Sequence, residues 1–471
     1  MDKYKKLASN TMILAAGQFS SRFLVIIMMR FYTGMLSTDG YGTVGLIIDA
    51  CMIIMAIVSL SVNESVIRFG LDTKYDKAHV FSIGLSTVIF GLAIFAPIAP
   101  ALNQVPMFAG YAWWIYFYVM FGCIKSCCSL FVRSIGHVRL FAVDGLFTTV
   151  MNISFNLIFM LALDMGVRGF LLSVILADAA SVIFVFVMAD LRKYIRVRGL
   201  IRELNYLRGS MYRFSLPMIP TAVMWWVTGF SAGFFIEAFL DIDATGLFKA
   251  AFRLPNIIVI VSGIFSQAWN MSAITEKNSR TIANFYTNVF KIFQSAIYLM
   301  AAGLLLVIRP ALQLMTSPEF AGSYRISSIL IIAIVFTCFS TFLGSVYVAS
   351  KKSVRSMLTA LIGAAASIVF NVALIPLLGL YGAAISIFLS YTAVFIVRAV
   401  DTRKIVRMEL GLSKMFANLA VIAAMCVVVI FVQDTFVYYV ALSALFTVCA
   451  VINFGSAISA IKMVLRKKTE G

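Results

Sequence analysis

Lys249 and Arg253 stand four residues apart in the stretch GLFKAAFRLPNIIVIVSGIFSQAW, which runs from Gly246 to Trp269. At helical spacing both side chains leave the same face. Arg22, Arg30 and Lys125 are further cations inside apolar runs, and the sequence reading sets Asp49 and Asp178 against them as the carboxylates so placed. A cation at mid-bilayer costs at least about 2.5 to 3.5 kcal/mol on insertion scales, so such residues face a partner or a water-filled cavity. Five cations against two carboxylates cannot neutralise one another completely. The surplus predicts a net positive cavity. A unit charge pair at about 4 Å and an effective dielectric near 20 gains about 4 kcal/mol before desolvation. Two or three cations would therefore hold an anionic group without making its release impossible.

Each of these residues also has a plainer reading. Arg30 and Lys249 lie near the outer ends of their spans, where a long side chain reaches the interface. Arg253 follows Gly246 by seven residues, about 10 Å deeper along a helix, and Arg22 is near mid-span, so these two point more firmly to a cavity. Asp49 and Asp178 are read as structural counter-ions or as ion-coupling ligands. Trp225 and Trp226 lie at mid-membrane depth, for packing between helices or for stacking against a sugar ring. Pro217, Pro220 and Pro255 interrupt the same two spans, where proline frees backbone carbonyls and allows bending.

The elements that must position these groups follow from composition. The chain has 471 residues, 62% hydrophobic and 12% charged, with a mean hydropathy of +0.99. A soluble domain cannot bury that much apolar surface, so the fold class is an all-α polytopic membrane protein. The net charge of +18 does not imply a nucleic-acid partner, because the basic residues are scattered between apolar runs. Seven cysteines without a CxxC pair and two distant histidines, His79 and His137, indicate neither a disulfide framework nor a metal site. No GxxxxGKS or GxxxxGKT motif is present, which argues against direct ATP hydrolysis, and no cofactor is expected.

At roughly 20 apolar residues per crossing, fourteen transmembrane helices are expected, at 10–33, 42–62, 78–99, 110–133, 140–163, 167–189, 214–237, 246–268, 284–309, 324–349, 356–378, 380–400, 414–433 and 436–461. The basic N-terminus leads into an uncleaved first span. With that end inside, 29 of the 38 basic residues fall on the cytoplasmic side, as the positive-inside rule requires, and both termini are cytoplasmic. Segment 191–213 reads as a basic amphipathic connector on the anionic inner leaflet, or as a solvated linker that merely obeys that rule.

An internal repeat organises the spans. Asn156 pairs with Asn371, Gly166 and Gly169 with Gly379 and Gly382, and Asp190, Arg192 and Lys193 with Asp401, Arg403 and Lys404, all at an offset of about 204 to 216 residues. Six spans per copy is an even number, so the copies are parallel lobes with a cavity expected between them. The expected parts are an N-terminal six-helix lobe (1–190), the connector (191–213), a C-terminal six-helix lobe (214–407), and spans thirteen and fourteen with a cytoplasmic tail (408–471).

The stretches SLPMIPTAVMWW, ATGLFKAAFRLPNII and IFSQAWNMSAITE, with GLYGAAIS at Gly379 to Ser386, resemble bacterial polysaccharide flippases of the Wzx type. These belong to the multidrug/oligosaccharidyl-lipid/polysaccharide exporter superfamily, and the resemblance covers essentially the whole chain. It implies a non-enzymatic transporter in the bacterial cytoplasmic membrane. Its partners would be the lipid bilayer, an oligosaccharide carried on undecaprenyl pyrophosphate, and polysaccharide assembly enzymes. It also implies that Arg22, Arg30, Lys125, Lys249 and Arg253 serve the pyrophosphate, and that the last two spans form a groove for the lipid tail. One departure is visible: Ala232-Gly233 stands where many such proteins carry an Asp-Arg pair. The rival readings are a lipid II flippase, a multidrug exporter, whose cavity for organic cations should be acidic, and a membrane-embedded polymerase or ligase, which needs a larger outer loop than any here.

Overall fold

The structure, a computed structural model, describes residues 28–196, 203–275, 282–350 and 352–469, and within these it is helical, with no strand. The chain forms two compact units, Met1–Trp226 and Val227–Gly471.

The first unit holds α1 (Met29–Met35), α2 (Thr38–Val58), α3 (Val62–Leu71), α4 (Lys77–Ile98), α5 (Ala112–Ser134), α6 (Val138–Asn156), α7 (Gly166–Met188) and α8 (Glu203–Ser215). α5 is its hub and packs against α2, α3, α4, α6 and α7. After Asn156 the chain widens into a π-helical segment, Leu157–Ala162, and reverses through Asp164 (φ 46°) and Gly166 (φ 52°). Of the expected connector, 191–213, the described residues form a 3₁₀ turn, Leu191–Tyr194, and most of α8, while 197–202 lie outside the described residues. Asp190 pairs with Lys193 at 2.6 Å in that turn and raises the ammonium pKa. α8 lays the buried Leu207 and Met211 toward α3, where the Ser65 hydroxyl donates to the Met211 carbonyl (2.7 Å) and the Arg68 guanidinium covers the Phe214 ring at 4.5 Å.

α9 (Met218–Phe230) leads into the second unit, which continues with α10 (Ala232–Phe239), α11 (Ile242–Arg253), α12 (Asn256–Thr275), α13 (Ile282–Met315), α14 (Ser323–Ala349), α15 (Ser353–Arg403), α16 (Leu412–Phe431) and α17 (Thr435–Thr469). α14 is the hub here. Its most apolar window is 78% buried, and it packs against α11, α12, α13, α15 and α16. A helix apolar on every side belongs at the centre of such a bundle. α5 and α14 are the fourth and tenth expected spans, so each copy of the repeat is built around its own fourth helix.

α15 is a hairpin. Gly379, at φ 58° and ψ −135°, breaks the helix, and beyond it Arg355 pairs with Asp401, Thr359 with Arg398, and Gly363 packs against Val394. Those pairings run antiparallel about the glycine. The last two helices lie inside the second unit, against α13 and α14. Their fully buried amides meet where Asn453 Nδ2 donates to Asn418 Oδ1 at 2.6 Å.

Fourteen crossings were expected, and by length and composition the described residues offer ten single helices and two bent pairs, at most twelve. The differences are local. The first expected span lies mostly outside the described residues, and the hairpin around Gly379 enters that total as one run although its limbs are the eleventh and twelfth expected spans. The seventh and eighth are the bent pairs, turning by 50° after Phe230 and by 45° after Arg253. Pro255 accounts for the second bend: it has no amide hydrogen to bond back into the preceding turn.

Candidate functional site

The sequence-predicted residues are distributed over both units. Lys125, on α5, donates to Asp178 Oδ1, on α7, at 2.6 Å, and both side chains are partly buried. Gly122 sits one turn from Lys125, and a Cβ there would fall 3.8 Å from Asp178 Oδ2 and closer still to Met55. A small residue at 122 therefore leaves room for the pair beside a methionine wall. Asp49, on α2, is 5% exposed, and its backbone carbonyl accepts the indole hydrogen of Trp226 at 2.7 Å. That bond fixes Trp226 to α2 through the backbone, so the interaction does not require the Asp49 carboxylate. Trp225 is half-buried on α9, and Arg30 is exposed on α1. Arg22 lies outside the described residues.

In the second unit Lys249 and Arg253 are both half-buried and both on α11, with Arg253 as its last residue before the bend. The N-terminus of α11 is capped by Asp241, whose carboxylate accepts the Ala244 amide at 2.6 Å. Thr245 and Gly246 are fully enclosed. This end of the helix is anchored by its cap and its small residues, and the other end stops at Arg253, at the 45° bend before Pro255.

Two charges of weight escaped the sequence reading. Asp144, on α6, is 2% exposed and receives hydroxyl hydrogen bonds on both carboxylate oxygens, from Ser129 (2.7 Å) and Ser181 (2.5 Å). Its signal was readable: one carboxylate inside the expected fifth span. Arg398, on the second limb of α15, is 2% exposed; its Nη1 donates to the Ser340 carbonyl (2.7 Å) and its Nε to the Thr359 hydroxyl (3.0 Å). In the sequence Arg398 falls at the end of the expected twelfth span, 380–400, where a long cationic side chain ordinarily reaches the interface. Gly344 makes the burial possible, since a Cβ there would meet Arg398 Nη1 at 2.6 Å. Asp401 completes the cluster, accepting from Arg355 Nη1 (3.0 Å) and from the Tyr347 hydroxyl (2.9 Å). Among the described residues no group of His, Cys, Asp and Glu could hold a metal ion.

The fold is similar to that of solved transporters of the MOP superfamily. Structural similarity extends over 96% of this chain and 100% of the lipid II flippase MurJ in an inward closed conformation, with a TM-score of 0.71 at 12% identity. An outward-facing MATE-family multidrug resistance transporter matches over 84% of this chain and 95% of its own, with a TM-score of 0.65 at 17% identity. A MOP-superfamily transporter from Pyrococcus furiosus, described as having a binding pocket of reverse polarity, matches over the same shares with a TM-score of 0.62 at 15% identity. No known family profile matches the sequence, and no curated protein matches it.

Proposed function

We propose that the protein is a flippase. It moves an undecaprenyl-pyrophosphate-linked oligosaccharide from the inner to the outer leaflet of the bacterial cytoplasmic membrane by alternating access, for surface polysaccharide synthesis. Supporting this reading is a fold similar, over 96% of the chain, to that of a lipid II flippase, joined to a cation pair, Lys249 and Arg253, on a helix that ends at a proline bend. In the proposal this pair holds the pyrophosphate, and bending at Pro255 changes its presentation. Arg22 and Arg30 add positive charge. Lys125 contributes when it leaves Asp178. The ring of Trp225 or Trp226 offers a stacking face to a sugar. The exposed apolar side chains Phe431, Phe436 and Phe454 on α16 and α17 suit a polyprenyl tail.

A second reading, export of organic cations coupled to a proton or sodium ion, draws support from Asp49, Asp144 and Asp178 in the first unit and from likeness to a multidrug transporter. A third keeps the flippase chemistry and takes lipid II as substrate.

The deciding experiment deletes the gene in the native host and measures undecaprenyl-linked intermediates and surface polysaccharide, with variants supplied in trans. Accumulation of the full repeat unit on the inner leaflet is the expected result. Arg253→Glu should fail to restore export while reaching the membrane, and Lys249→Glu should restore it in part. Normal export by Arg253→Glu would remove the headgroup assignment. Loss of dye resistance without any polysaccharide defect would favour the cation exporter.

A further inference from the structure

Between the two limbs of α15 lies an open groove of about 480 Å³, lined at one end by Arg355, Asp401 and Lys404 and beyond them by apolar side chains that include Leu358, Ile362 and Ile396. The charged end has a clear balance. Both oxygens of Asp401 are engaged, one by Arg355 and the other by Tyr347. Lys404 is exposed and forms no ion pair with a described residue. Behind the Thr359 hydroxyl, which also lines the groove, stands the buried guanidinium of Arg398. Two cations, Arg355 and Lys404, thus share the charged end with one carboxylate whose oxygens are already taken, and the Arg398 guanidinium adds positive charge behind the wall.

The walls are of another kind. Leu358 is 50% exposed, Ile396 55% and Val400 60%, on helices of a membrane protein, so acyl chains rather than water meet them. From Arg355 to Ile362 the groove runs about 10 Å along a helix axis. A positive mouth over an apolar trough matches an amphiphile with an anionic head. A soluble anion would leave the trough uncovered, and a zwitterionic head would bring a cation to a site already rich in them.

We propose that this groove binds one anionic phospholipid, with its phosphate at Lys404 and Arg355 and an acyl chain along Leu358, Ile362 and Ile396. The site is built wholly from residues of the second unit and does not depend on the transported substrate.

The test uses the full-length protein purified in detergent, with phosphatidylglycerol and phosphatidylcholine as probes and lipid retention read by native mass spectrometry. Wild type should retain phosphatidylglycerol in preference to phosphatidylcholine. Lys404→Ala should lower that retention about fivefold, the equivalent of about 1 kcal/mol for one basic residue at an anionic head. Val400→Trp, which fills the groove and leaves the charge unchanged, should lower it comparably, and Lys193→Ala, an exposed cation of the first unit, should not change it. Equal retention of the two lipids by wild type would overturn the proposal. So would unchanged retention by either Lys404→Ala or Val400→Trp, or displacement of phosphatidylglycerol by inorganic phosphate alone. The assay measures no transport, so it succeeds or fails independently of the flippase reading.

Discussion

The two units bury charges of opposite sign. Among the described residues, the buried charged side chains of the first unit are the carboxylates Asp49 and Asp144, and that of the second is the guanidinium of Arg398. The backbone devices nevertheless match position for position. Asn156 and Asn371 are both completely buried, and each donates its side-chain amide to the residue four before it. Gly166 and Gly379 both take positive φ, and the hydroxyls of Ser173 and Ser386 both donate to the carbonyls of Gly169 and Gly382. Gly169 and Gly382 also bring a neighbouring turn's carbonyl closer than a Cβ would allow, those of Phe159 and Leu374. A helical reversal inside a membrane must satisfy every backbone polar group without water, so the residues that do this recur in both copies. A buried charge needs only local partners, and the copies differ there.

The comparison breaks most visibly if the sign of the second unit's buried charge is reversed. Arg398→Glu places a carboxylate near Asp401 and faces the Ser340 carbonyl with an acceptor. A loss of about 3 to 5 kcal/mol is expected, read as loss of the monodisperse species in detergent; a melting temperature within a degree or two of wild type would show that Arg398 does not hold α14 and α15 together. The first unit offers a double-mutant test. Lys125→Met leaves Asp178 partly buried without its counter-ion and should cost about 2 kcal/mol, whereas Lys125→Met with Asp178→Leu should recover most of the loss. Additive losses in the double variant would mean that the pair does not act as a unit. Asp144→Asn replaces one of the two oxygens that accept serine hydroxyls, and a loss of about 1 to 2 kcal/mol is expected in thermal unfolding.

The smallest effects sharpen the likeness between the copies. Nothing stands within 4 Å of a Cβ at Gly166 or Gly379, so alanine at either position meets no clash and only the cost of positive φ, about 1 to 2 kcal/mol. Both variants should lower the melting temperature, Gly379→Ala the more, because its ψ of −135° lies outside the left-handed helical region. A large effect at one glycine alone would show that the reversals do different work in the two units.

Much of the architecture was legible because membrane solvent imposes simple rules. Apolar length marked where helices run. The recurrence of Asn156, Gly166 and Gly169 at Asn371, Gly379 and Gly382 marked the repeat, and the structure places a chain reversal at each copy. The site was legible only in part. Lys249 and Arg253 share α11 as their spacing predicted. That Lys125 finds Asp178, 53 positions away, depends on how α5 and α7 pack. Asp144 and Arg398 were hidden for different reasons, one overlooked within an expected span and the other assigned to a helix end that the structure encloses.

The sequence by itself determined that this chain is helical and membrane-bound and where its repeats lie, since hydropathy, helical period and glycine at a reversal are local properties. Tertiary structure alone decided which helices became the hubs, α5 and α14, and which charges met. It also decided that Arg398 would be buried: its guanidinium can leave water only because Gly344, Ser340 and Thr359, far apart along the chain, supply the space and the acceptors together.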